Sequence, residues 1–160
     1  MSDPDGRLEK IYDKNNKKVF IDYAHTPDAL KQVLSTLNNK SGKLVIVFGC
    51  GGDRDVKKRP LMSKEAVKHC DYIFITSDNP RTENPKKIFS DMTQGLREKD
   101  LKKIEIIENR TNAIHAAINF IKSGDTLIIA GKGHEKYQII KDKKIYFSDS
   151  EVATNKLSSK

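Results

Sequence analysis

Apolar and polar positions along this chain alternate between short unbroken runs and longer stripes with a helical repeat. Leu44, Val45, Ile46, Val47 and Phe48 form one uninterrupted apolar run, expected of a strand covered on both faces. Residues 72–76 and 126–130 are similar apolar, β-branched runs, and 104–107 also reads as a strand. Between them lie stripes spaced by three and four: Ala29, Leu30, Val33, Leu34 and Leu37; Leu61, Met62, Ala66 and Val67 within 60–69; Ile88, Phe89, Met92 and Leu96 within 85–96; and the segment 111–121. Thr26 suits the N-cap of the first helix, with Pro27 as its first residue and Ser41-Gly42 ending it. Asn109 or Thr111 can cap the helix over 111–121. Two hairpins are expected. One joins 7–12 and 17–23 around Asp13-Lys14-Asn15-Asn16; the other joins 137–140 and 144–147 around Asp142-Lys143. A last helix follows Ser148, with Glu151 placed to complete a capping box.

Strands alternating with helices of this length imply right-handed crossovers and a mostly parallel sheet. The pattern predicts a single Rossmann-like α/β domain over residues 1–160, with helices flanking the sheet and an antiparallel hairpin near each end. In such sheets ligands bind at the loops beyond the carboxyl ends of the strands. Four loops there carry polar groups: Asp22-Tyr23-Ala24-His25; Gly49-Cys50-Gly51-Gly52-Asp53-Arg54-Asp55; Ser77-Asp78-Asn79-Pro80-Arg81; and Gly131-Lys132-Gly133-His134-Glu135. They are far apart in sequence and should meet at one edge.

Charge adds less than its size suggests. The net charge of +8 comes largely from lysines scattered over the whole chain, which reads as a solvated surface. Nucleic acid would favour a clustered basic stripe with interleaved aromatics, yet aromatics are 7% and Trp is absent. No apolar stretch approaches the ~20 residues of a membrane span. Met1 to Gly6 has no apolar core, so it is no signal peptide and reads as a cut end. Two cysteines, Cys50 and Cys70, are too few for a disulfide scaffold and point to the cytoplasm. The arginines are more telling, since Arg7, Arg54, Arg59 and Arg81 lie beside or within two residues of Gly or Pro in loop contexts. Arg grips carboxylate or phosphate with two parallel hydrogen bonds.

Two familiar phosphate motifs fail. Gly49 and Gly51 begin a dinucleotide fingerprint, but Arg54 stands where its third Gly belongs. Gly131-Lys132 resembles a phosphate loop, but Thr126 occupies the first Gly position and Lys132 is followed by Gly. A glycine turn with solvated charges stays open for both loops, as does ordinary turn chemistry for Asp78-Asn79-Pro80. Asp78-Asn79-Pro80-Arg81 can also hold both ends of an amino acid, Arg81 on a carboxylate and Asp78 on an ammonium. The four histidines have no ligand spacing, so no metal site is expected, and no catalytic nucleophile stands out.

Together these segments resemble the C-terminal domain of the Mur ligases, from Gly6-Arg7-Leu8-Glu9 through the four loops to Phe147-Ser148-Asp149. The longest shared motif is Gly49-Cys50-Gly51-Gly52-Asp53-Arg54-Asp55 with Lys58-Arg59-Pro60-Leu61-Met62. The resemblance implies an ATP-dependent amide ligase of cell-wall precursor synthesis, of which this is the third domain. The UDP-binding domain and the central ATPase domain, which holds most of the ATP and Mg2+ contacts, would lie outside the chain. It implies that Arg7, Asp22 and His25 reach ATP on closure, and that Arg54, Asp78, Asn79, Pro80, Arg81, Gly131 and Glu135 bind the incoming amino acid. Arg81 is the form seen where meso-diaminopimelate is added to UDP-MurNAc-L-Ala-D-Glu; lysine-adding relatives usually carry Ala or Asn there. The alternatives are a lysine- or lanthionine-adding homologue, or a free-standing dinucleotide- or amino-acid-binding module of the same fold; lanthionine itself would present nearly the same groups as diaminopimelate. Alone, the domain is expected to be inactive. Asp22 and His25, in a strand-to-helix loop, are expected to contribute nothing to packing.

Overall fold

The computed structural model describes residues 8–38 and 42–159; Arg7 and Ser41 lie outside them. The chain runs β1 (Glu9–Lys14), β2 (Lys17–Asp22), α1 (Pro27–Leu37), β3 (Leu44–Phe48), α2 (Lys58–His69), β4 (Tyr72–Ile75), α3 (Pro85–Thr93), α4 (Glu98–Leu101) and β5 (Ile104–Ile106). It continues with α5 (Arg110–Phe120), β6 (Thr126–Ala130), β7 (Tyr137–Ile140), β8 (Lys143–Tyr146) and α6 (Asp149–Ser158). The main sheet has six strands in the order β1-β2-β6-β3-β4-β5, and β7 and β8 form a separate ribbon. Only β1 runs antiparallel in the main sheet, so both expected hairpins and the parallel core are present.

The unbroken apolar runs became the central strands. Every residue of β3 and β6 is buried, because helices cover both faces. Leu30 and Leu34 of α1, Met62 and Ala66 of α2, and Ile88 and Phe89 of α3 pack on one face with Ile46 and Phe48. Ala113, Ile114 and Ala117 of α5 and Ala153 of α6 pack on the other with Val45, Val47 and Ile129. This split follows from right-handed crossovers: the chain moves one way from β2 through β3 and β4 to β5, then returns to β6. The reversal lies between β3 and β6, where loops leave toward opposite faces and open a crevice. Registry also matters. Asp22 pairs with Ala130, Val47 with Ile129 and Phe48 with Ile75, so four strands end level and deliver their loops to one edge.

Boundaries departed from the pattern where local chemistry intervened. The helix expected to reach Leu96 stops at Thr93, because Gly95 takes φ +81° and turns the chain. A one-turn helix follows, with Asp100 reaching back to Arg97. Thr26 caps α1 through its hydroxyl, which accepts from Ala29 N–H at 3.1 Å, and Asn109 caps α5. Ser148 Oγ accepts from Glu151 N–H at 3.2 Å, but the Glu151 carboxylate accepts from the Tyr146 hydroxyl rather than closing a capping box. None of the described helices is long and apolar enough to cross a membrane.

Candidate functional site

The four loops enclose a cavity of ≈ 390 Å³ at that edge, lined among others by Tyr23, His25, Arg54, Asp78, Arg81 and Glu135. This lies in the range of clefts for small ligands, about 300–1,000 Å³. Its walls are built by loops resting on each other's backbone. A Cβ on Gly52 would lie 1.8 Å from the Pro80 carbonyl oxygen, so only glycine lets the β3 loop seat on the β4 loop. Gly52 N–H donates to the Asn79 carbonyl at 2.8 Å across the same contact. Gly52 is thus needed for close approach, since its φ is not left-handed.

Arg81 stands at the junction. Its backbone takes φ +53°, its N–H donates to Ile139 carbonyl at 3.0 Å and its carbonyl accepts from Lys141 N–H at 2.6 Å. The β7–β8 ribbon therefore clamps this loop. The guanidinium donates from Nη1 to the Gly52 carbonyl at 3.0 Å and the Asn79 carbonyl at 3.3 Å. Arg54 is more exposed and donates from Nη1 to its neighbour's carbonyl, Asp53 O, at 3.1 Å. Asn79 and Pro80 are buried in the wall. Asn79 Oδ1 accepts from Ile139 N–H and from Lys132 Nζ, both at 2.9 Å, so the amide oxygen pins the ribbon and the β6 loop together.

The opposite side of the cavity is acidic. Asp78 Oδ1 lies 2.9 Å from Lys132 Nζ, and Glu135 Oε1 lies 3.8 Å from the same nitrogen. Burial and the nearby Asp78 charge push the Glu135 carboxyl up, while Lys132 pulls it down. Gly131, at φ +113°, brings the chain past Asp78, whose Oδ2 would lie 3.4 Å from a Cβ there. Gly131 N–H and Gly133 N–H both donate to the Asp22 carbonyl. Lys132 is wholly buried between them, an arrangement that sequence reasoning missed by testing it only as a phosphate lysine. His134 points away from the cavity and pairs with Glu9.

The expected nucleotide residues divide. Arg7 is outside the described residues. His25 is exposed at the cavity mouth, Nδ1 3.0 Å from the Tyr23 carbonyl and its ring edge-on to Tyr23. Asp22 corrects the expectation that its loop contributes nothing to packing. It is 1% exposed, and its carboxylate accepts from Leu8 N–H at 2.5 Å and Ala24 N–H at 2.6 Å. Its carboxylate thus ties the start of β1 to the loop that presents His25.

Two further arginines, Arg59 and Arg110, brace the loops from behind. Arg59 was grouped with the ligand-facing arginines, but it is wholly buried and corrects that grouping. It donates to Glu83 at 2.7 Å, Asp91 at 2.9 Å and the Gly51 carbonyl at 2.9 Å. Arg110 forms a two-pronged pair with Asp149 at 2.7 and 2.8 Å and donates to the carbonyls of Ser77 and Ala130. Both carbonyls directly precede cavity residues, Asp78 and Gly131.

Residues 6–133 match the family model described as Mur ligase, glutamate ligase domain. The chain belongs to the Mur ligase family. This Mur ligase domain is 47% identical over 157 residues to UDP-N-acetylmuramoyl-L-alanyl-D-glutamate--2,6-diaminopimelate ligase of Chlorobium phaeobacteroides, covering 96% of the chain and 30% of that protein. It is 51% identical over 152 residues to the protein of the same name from Rickettsia bellii, covering 93% and 31%. A solved structure of a ligase with that name superposes with a TM-score of 0.89 at 42% identity, over 98% of this chain and 32% of that one. Folylpolyglutamate synthase of Mycobacterium tuberculosis, complexed with ADP and AMPPCP, shares the fold at TM-score 0.64 and 20% identity, over 100% and 33%. The chain spans about 30% of the length of the curated relatives it matches. For this Mur ligase domain, the parallel fold and the meeting of the four loops follow the sequence reading. The bracing roles of Arg59, Arg110 and Lys132 did not show in it.

Proposed function

We propose that this domain receives the incoming amino acid of an ATP-dependent amide ligase, one that adds meso-diaminopimelate to UDP-MurNAc-L-Ala-D-Glu in the cytoplasm. One observation carries the reading: a single cavity sets the Arg54 and Arg81 guanidiniums against the Asp78 and Glu135 carboxylates. An amino-acid end needs a cation for its carboxylate and an anion for its ammonium, and diaminopimelate has two such ends. Arg81, braced by the β7–β8 ribbon, holds the distal carboxylate, with Arg54 beside it. Glu135 and Asp78 hold an ammonium, and Gly131 lets the ligand approach the backbone. The names of the closely similar relatives support the substrate.

Bound ATP supplies the phosphoryl group that activates the dipeptide carboxylate. The residues here fit only the edge of such a site: exposed His25 and Tyr23 at the mouth, with the Asp22 carboxylate engaged on the loop itself. The phosphates and Mg2+ fall to the longer ligase's central domain. What this domain contributes is orientation, holding the free amine so that its lone pair faces the activated carbonyl when the domains close.

Calorimetric titration of the chain with meso-diaminopimelate, meso-lanthionine, L-lysine and pimelate tests this. Diaminopimelate should bind, lysine at least about tenfold more weakly, a gap of ~1.4 kcal/mol. Lanthionine presents nearly the same groups and should lie close to diaminopimelate. Equal binding of lysine, or no binding of diaminopimelate, overturns the reading. The chain by itself should not turn over ATP.

A further inference from the structure

Lys132 is 0% exposed, yet an ammonium removed from water is costly unless it is paired and hydrogen-bonded. Here the pairing is dense. Nζ lies 2.9 Å from Asp78 Oδ1, 2.9 Å from Asn79 Oδ1, 3.0 Å from the Tyr137 carbonyl and 3.8 Å from Glu135 Oε1. These partners come from the β4 loop, the start of β7 and the β6 loop itself. Asp78 and Glu135 are the acidic end of the cavity, and side by side two carboxylates disfavour each other's charge. A single buried cation between them changes the sum from two negative charges to one.

We propose that Lys132 is a positioning residue for the ammonium of the incoming amino acid: it holds Asp78 and Glu135 together and leaves them one net negative charge for one cation. This rests on the amino-acid-binding reading above and extends it to a residue that does not line the cavity. Without the lysine the pair would carry two negative charges in a half-buried wall, and Glu135 would take up a proton and stop attracting an ammonium. Lys132 already acts in that direction, pulling the Glu135 carboxyl down against burial and Asp78. Among the described residues, Tyr23 and His25 of the β2 loop and Arg110 of α5 also act on or with Glu135, and Arg54, Lys58 and Arg81 share its cavity.

The test compares the chain with Lys132→Met, which keeps the length of the side chain without its charge, with Lys132→Arg, and with the double variant Lys132→Met/Asp78→Asn. The Glu135 carboxyl carbon is followed by NMR against pH, which separates its titration from that of His25. In Lys132→Met its midpoint should rise by about one pH unit or more. In the double variant, which restores one net negative charge, it should return toward the wild-type value, and Lys132→Arg should stay close to wild type. Diaminopimelate affinity depends on ionised Glu135, so it is present above that midpoint and lost as pH falls through it. In Lys132→Met this loss should begin at higher pH. At a pH between the two midpoints affinity should fall several-fold, while pimelate, which has no ammonium, should be hardly affected. A Glu135 midpoint that does not move in folded Lys132→Met, or equal losses for diaminopimelate and pimelate, overturns the proposal while leaving the cavity's function intact. Absence of diaminopimelate binding in wild type overturns the amino-acid reading, and the ammonium role with it. If Lys132→Met does not fold, failure of the double variant to fold while Lys132→Arg folds normally leaves Lys132 a packing cation and overturns the proposal. Recovery of folding in the double variant supports the charge account.

Discussion

Two arginine pairs occupy the same edge of the sheet and do opposite things. Arg59 and Arg110 lie behind the loops, wholly buried, and bind carboxylates and carbonyls of the protein. Arg54 and Arg81 lie in front, and among the described residues each guanidinium is bonded to protein through Nη1 alone, to backbone carbonyls. The back pair is neutralised by Glu83, Asp91 and Asp149, whereas the front pair has no carboxylate partner among the described residues. A guanidinium that faces a cavity with no carboxylate paired to it suits the proposed grip on a ligand's carboxylate. One aimed at a buried Asp is equipment for a fold. Residue type alone does not separate the two; what the loop packs against does.

The largest effect should come from the back pair. Arg110→Met strands the Asp149 carboxylate at 0% exposure, and breaking a buried pair this way costs about 3–5 kcal/mol. Urea unfolding should show that loss, and Arg110→Met/Asp149→Leu should regain most of it. If the single variant unfolds at the wild-type midpoint, the division between the pairs collapses. Next comes the front pair. Arg81→Ala should weaken meso-diaminopimelate binding by 10- to 150-fold, since hydrogen bonds to charged groups contribute ~1.5–3 kcal/mol. L-lysine, with no distal carboxylate, should bind as before, and calorimetry with both ligands decides it. Arg54→Ala should lose less than about tenfold, because water already screens an exposed charge.

The smallest effect is a matter of pH. Arg59 holds the Glu83 carboxyl down to about 2, below its ordinary 4.5. A lowered value in the fold means that the pairing stabilises fully above pH 4.5 and fades as pH falls toward 2. Asp91 is lowered too, first by Lys87 and then by Arg59. Glu83→Gln should flatten the decline of the melting temperature between pH 4.5 and 2, which thermal scans across that window would reveal. An unchanged acid slope would mean that Arg59 braces by geometry rather than charge.

How far the sequence could be read follows the same division. The apolar runs declared β3 and β6 because full burial demands unbroken hydrophobicity, and the registers then forced the loops together. That Arg54, Arg81 and Glu135 would meet was legible because their loops leave the carboxyl ends of neighbouring strands, and they line one cavity. Arg59 misled, since its partners Glu83 and Asp91 lie 24 and 32 residues away and only packing brings them near. Lys132 was hidden for a similar reason: its burial depends on Asn79, 53 residues earlier. Asp22 looked like a free loop acid because nothing local announces that Leu8 will fold back onto it.

The left-handed backbone at Arg81, φ +53°, bears on how this site could change over generations. A side chain with a Cβ is held there at a cost of order 1 kcal/mol, least for Asn, none for Gly and most for β-branched residues. Random substitution at this position is therefore not symmetric. Steps to Asn or Gly relax the chain, steps to Val, Ile or Thr strain it, and a step back to Arg runs uphill. If the amino acid delivered to the site stopped carrying a distal carboxylate, the local backbone would itself favour drift away from arginine. If Arg81 grips a ligand's carboxylate as proposed, retaining it takes continuous selection by that ligand, and its reacquisition would start against a slope.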